Sequence, residues 1–125
     1  MPGPVYRCVL ESLALHFRKL VYELEHLSGV EINRIFVPNA GSNMLLNHFT
    51  ANSLKLPLTI VSSDVPAFGN IVTQGLALGQ IESVEAARDI LRRSSNVETI
   101  VPYAQLWEQA YERFVTLTPT ATAAE

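Results

Sequence analysis

In residues 35–52, IFVPNAGSNMLLNHFTAN, an apolar β-branched run stops at Pro38, passes through Asn39, Ala40, Gly41 and Ser42, and turns helical at Asn43. In α/β proteins such a strand-to-helix turn is a usual place to hold a phosphate, because free N–H groups and the helix dipole favour an anion. Turns of this kind carry glycines, since the backbone must come close to the ligand. Here Pro38 has no N–H to offer. Two readings stand at this point. Either the turn contacts an anionic ligand, or it is a plain connection in which Ser42 or Asn43 caps the next helix.

The other reactive side chains are dispersed. His16, His26 and His48 sit in two helical patterns with no cysteine or carboxylate at ligand spacing, whereas a metal site needs three or four converging ligands. No Ser/His/Asp arrangement, nucleophile elbow or Walker loop occurs. Cys8, the only cysteine, excludes an internal disulfide, and its apolar helical setting reads as buried packing rather than a reactive thiol. Glu23, Glu25 and Glu31 read as solvated. Trp107, Tyr111 and Phe114, at helical spacing, read as core.

A chain of 125 residues, 48% hydrophobic and 17% charged, suits one globular domain with its own core. A net charge of −3 gives no general attraction to nucleic acid or acidic membranes, so neither is expected as a partner. The start, MPGPVYRCVLESL, lacks a basic signal region followed by an apolar core, and no apolar run approaches the ~18 residues that span a bilayer. A cytoplasmic protein is expected.

The elements that must position the turn follow from periodicity. Tyr6, Leu10, Leu13, Phe17, Leu20, Leu24 and Leu27 alternate steps of four and three, predicting a helix over 5–28 that lies on a sheet, with Gly29 closing it. Residues 30–37 read as a strand. Residues 43–54 read as a helix with Leu45, Leu46 and Phe49 inward, and 56–61 as a short buried strand. A helix over 67–78 contains Gly69 and Gly75, which imply close approach to a neighbour or ligand, and Gly79 ends it. Ser83 caps a helix over 84–93, and a last amphipathic helix covers 103–115. Residues 1–115 therefore form the ordered unit, with a Thr/Ala-rich tail over 116–125. Alternating α and β elements imply a parallel sheet, yet two strands are too few for one that stands alone.

The segments RCVLESLALHFRKLVYELE, NMLLNHFTAN and AFGNIVTQGLALGQI carry a resemblance that covers nearly all of the chain to about Pro102. They resemble the C-terminal part of the FGGY family of sugar kinases. The resemblance implies a partial actin-like ATPase (ribonuclease-H-like) α/β domain: two parallel strands with covering helices, missing the first strands of the sheet. It also implies ATP and Mg as cofactors of the complete enzyme.

By position, the family's three phosphate-approaching glycines fall on Pro38, Asn39 and Ala40. Its next small residue falls on Gly41, and its adenine-side Asn on Asn43. Asn39, Ala40, Gly41 and Asn43 are thus the nucleotide-binding candidates. The family's Ala-Asp appears as Ala51-Asn52, and its Glu-Ala-Thr-Ala as Asp64-Val65-Pro66-Ala67. Its catalytic base and sugar contacts belong to a segment that would precede residue 1, so no catalytic residue is assigned. The expected partners are a chain carrying the rest of the kinase and, through an unpaired strand edge, a second copy of this chain.

Overall fold

The computed structural model describes residues 3–38, 43–61, 65–94, 97–103 and 106–118. In chain order they form α1 (Gly3–Ser28), β1 (Ile35–Pro38), α2 (Met44–Leu54), β2 (Leu58–Val61), α3 (Val65–Ala77), α4 (Val84–Ser94), β3 (Val97–Ile100) and α5 (Trp107–Leu117). β1 and β2 are parallel, with α2 as the crossover, and β3 joins β2 antiparallel in the order β1-β2-β3.

β3 corrects the expectation of two strands. Its four residues, VETI, bury only Ile100, so it carries too little apolar alternation to stand out in the sequence. Its register against β2 places Ile100 opposite Leu58. Those two, with Ile60, Ala51 and Leu54, make the buried core. β2 becomes the central strand and is buried throughout.

β1 and β3 are the two outer strands of this sheet. The Ile35 N–H donates to the Pro57 carbonyl at 3.4 Å, towards β2. Parallel strands direct alternate residues to opposite neighbours, so the Phe36 N–H and C=O face away from β2, and Pro38 falls on the same outward side. A proline without a donor is tolerated there because it interrupts no bond to β2. Among the described residues, no strand pairs with this edge.

The predicted stripe of α1 coincides only in part with the face it buries, at Leu10 and at Ala14 and Val21 beside it. Leu10, Ala14, Leu15 and Arg18 are buried, while Leu13, Phe17 and Leu20 are each 40% exposed and Leu27 is 81% exposed. α1 packs chiefly on α2, and the small Ala14 and Ala51, both fully buried, permit close approach of the helices. The rotation also turns Cys8 outward, so it is exposed rather than core.

α2 differs in the same way. Leu45 is exposed, Leu46 and Phe49 are half-buried, and Asn47, Thr50, Asn52 and Ser53 lie inside. The polar burial is partly satisfied: the Thr50 hydroxyl donates to the Leu46 carbonyl, and the Asn52 side chain accepts from the Tyr103 N–H. Gly29 and Gly79 both take φ of +67°, as the helix ends require. The turn at Gly79 folds Ile81 over Gly75, where an added Cβ would meet the Ile81 side chain at 2.6 Å. Gly69 has open space instead.

α5 buries no residue fully; Trp107, Tyr111 and Phe114 are half-buried rather than core. Charge and ring contacts hold it. Glu108 accepts from Arg18 Nη2 at 2.8 Å and from Lys55 Nζ at 2.7 Å, joining α1, the end of α2 and α5. The Arg18 guanidinium also lies over the Tyr111 ring at 4.1 Å, and Trp107 packs on Phe49. Lys55 reaches this position from a left-handed backbone, φ 58°, that closes α2.

The hydrogen bonds from Lys55 and then Arg18 hold the Glu108 carboxyl below its ordinary value of 4.5. A carboxylate depressed in the folded state contributes stability that is fully present above the unfolded value. That contribution is lost as pH falls through the lower folded value. Acidification below about pH 4.5 should therefore loosen α5, read by the fluorescence of Trp107, the chain's single tryptophan. Glu108→Gln should lower the melting temperature by several degrees and flatten this acid transition in Trp107 fluorescence.

Candidate functional site

The turn lies where the carboxyl end of β1 passes to the N-terminus of α2, the position at which open α/β sheets bind ligands. Asn43 is the N-cap of α2, in extended conformation, and its Oδ1 accepts from the Leu45 N–H at 3.0 Å and the Leu46 N–H at 3.2 Å. Its Nδ2 donates to the Tyr6 hydroxyl at 2.6 Å. An asparagine amide has two donors, so one N–H of Asn43 has no partner among the described residues. Asn39, Ala40 and Gly41, the other candidates, lie outside the described residues.

Beside the turn, α1, β1 and α2 enclose a cleft of about 630 Å³. Phe17, Leu20 and Leu24 form one wall, Ile35 and Val37 the floor, and Pro38 and Asn43 one end. No charged side chain of the described residues lines it. The buried Asn47 also borders it, and its Nδ2 has no hydrogen-bond partner among the described residues. A buried amide left this way costs about 1–3 kcal/mol, so Asn47 is a donor waiting for an acceptor.

This arrangement suits an apolar or planar group with one or two hydrogen bonds. Among the described residues it has no guanidinium or ammonium for phosphates and no carboxylate for a metal, and no group of three His, Cys, Asp or Glu converges elsewhere. None of their helices is long and apolar enough to cross a membrane.

Residues 2–78 match the C-terminal domain of the FGGY family of carbohydrate kinases. The chain belongs to this family. The sequence is 36% identical over 114 residues to a rhamnulokinase of Bacteroides thetaiotaomicron, a match that covers 90% of this chain and 24% of the relative. A rhamnulokinase of Halalkalibacterium halodurans is also 36% identical, over 81% of this chain and 22% of its own length. The structure is similar to the crystal structure of xylulose kinase from Rhodospirillum rubrum, with a TM-score of 0.73 and 22% identity over 94% of this chain and 24% of that one.

The FGGY chain thus carries part of an actin-like α/β fold and spans about a quarter of the length of the curated relatives it matches. Within its site, the sequence singles out Asn43 but not Tyr6, which reads there as one more member of an apolar stripe. Nor does it single out Asn47, whose burial depends on how α2 rolls against α1. The hydroxyl, the one polar group in a stripe otherwise of leucines and Phe17, was the available sign for Tyr6.

Asn43→Ala should destabilise the chain by about 1 kcal/mol in denaturant unfolding, the usual worth of a helix cap. Tyr6→Phe keeps the cap and removes only the Tyr6 acceptor, so it should cost less than half as much.

Proposed function

We propose that this chain is the ATP-side portion of a rhamnulokinase-like carbohydrate kinase. It acts only together with polypeptide that supplies the remaining sheet, the catalytic base and the sugar site. The observation that carries this reading is the open outer edge of β1 beside the apolar cleft. Backbone groups of β1 are left without a strand partner among the described residues, beside a cleft lined by the part-exposed Leu20 and Leu24, and both features suit pairing with further strands. In the complete enzyme, ATP with Mg²⁺ would deliver a phosphoryl group to a hydroxyl of a ketose such as rhamnulose.

This chain's own share is positioning. Asn43, fixed by Tyr6 and by the helix end, offers one N–H at the mouth of the cleft, and the α1 and β1 side chains exclude water. A general base must lie within hydrogen-bond reach of the proton it takes. No carboxylate or histidine of the described residues lines the cleft, and on this reading the base comes from the remaining polypeptide.

Pro38 favours a second reading: a non-catalytic module that keeps the fold, does not bind nucleotide, and self-associates through β1 and α1. Proline removes a backbone donor where the family has glycine.

Titration of the purified chain with ATP and magnesium separates the two. For the kinase portion, affinity should be weaker than millimolar alone and should strengthen with Pro38→Gly/Asn39→Gly. ADP release with rhamnulose should appear only when the remaining part of a rhamnulokinase is added. No gain from either change, with a stable dimer in sedimentation, would favour the self-associating module. Robust turnover by the chain alone would overturn both.

A further inference from the structure

The second face of the sheet carries a group of side chains that the turn does not use. Phe36, Thr59 and Thr99 stand opposite one another across β1, β2 and β3, on the side away from the core residues Leu58 and Ile60. Between this row and α4 lies a pocket of about 430 Å³. Arg88 and Arg92, one helical turn apart, line its α4 wall, and Arg34 lines it from the approach to β1.

Three of the chain's nine lysines and arginines thus border one pocket, in a protein whose net charge is −3. Their neutralisation is slight. Arg88 reaches Glu85 at 3.6 Å and Arg92 reaches Asp89 at 3.1 Å, both exposed pairs within α4 and therefore weak. Arg34 forms no ion pair among the described residues. Glu98, the acid of β3, alternates to the opposite face. The floor is an aromatic ring, 62% exposed, beside two threonines.

We propose that this pocket binds a phosphate monoester. Guanidinium forks bind phosphoryl oxygens in bidentate fashion, and Arg88 and Arg92 supply two of them. With Arg34 the three arginines outnumber Glu85 and Asp89 and leave the pocket positively charged. Threonine hydroxyls add donors, and the Phe36 ring gives a flat apolar face for the organic part. A sugar phosphate and a nucleotide share this chemistry. The pocket opens on the sheet face opposite the Asn43 cleft, so it does not depend on the nucleotide turn.

The test is titration of the full chain with inorganic phosphate, a ketose phosphate and AMP, followed by calorimetry and by amide NMR. The esters should bind more tightly than inorganic phosphate, and high salt should weaken all of them. Arg88→Ala/Arg92→Ala should lower affinity about tenfold or more, while Arg93→Ala, next to the pocket but outside its lining, should not. The better ester identifies the source. Should the double variant unfold, the shifts in the wild-type chain still decide, since they must centre on Thr59 and Thr99. No binding at millimolar concentration, equal binding by the double variant and Arg93→Ala, or shifts centred elsewhere would overturn the proposal.

Discussion

A β-strand with a neighbour on one side only leaves a row of backbone groups that its own residues cannot satisfy, and among the described residues β1 is such a strand. Much of the rest follows from this. Leu20 and Leu24 of α1 and Ile35, Val37 and Pro38 of β1 line one cleft. Pro38 occupies an outward position, so the outer edge of β1 offers the Phe36 N–H but no donor at the strand's end. β2 is thus paired on both sides, while the sheet has two open edges among the described residues, and β1 is the one that leads into the turn.

The opposite flank of α1 is closed by different physics. α5 has no buried residue, so area alone does not hold it. Arg18 is only 2% exposed, and Glu108 gives it a carboxylate while binding Lys55 with its other oxygen. Removing one partner of a buried charge costs more than the pair contributes, which makes Glu108 a point of control for the whole flank. Rings at Tyr22, Tyr111, Phe49 and Trp107 add directional contacts around it.

Helix ends were legible where a glycine or a capping side chain fixes them locally; α5, whose N-cap Leu106 makes no side-chain cap bond, spans Trp107–Leu117 rather than 103–115. Gly29 and Gly79 close helices in left-handed geometry, and the Ser83 hydroxyl and Asn43 amide cap the starts of α4 and α2. Faces were less legible. Periodicity reports where apolar side chains lie on α1, not which neighbour covers them, so the stripe through Leu13 and Leu20 is exposed and Cys8 with it. β3 was missed because its pairing with β2 is specified by one buried residue, Ile100. At the site, Asn43 follows from its place before a helix. Its bond to Tyr6, across a sequence separation of 37, follows only from the packing of α1 on α2.

If the outer edge of β1 is the joint with the rest of the kinase, amide hydrogen exchange at Phe36 and Val37 reads it directly. In the isolated chain at low concentration the Val37 N–H, on the β2 side, should be protected and the outward Phe36 N–H should exchange freely. Addition of polypeptide carrying the remaining sheet should protect Phe36 without altering Val37. Equal protection of both amides in the monomer, or no change at Phe36 when that polypeptide binds, would contradict the open edge as the joint.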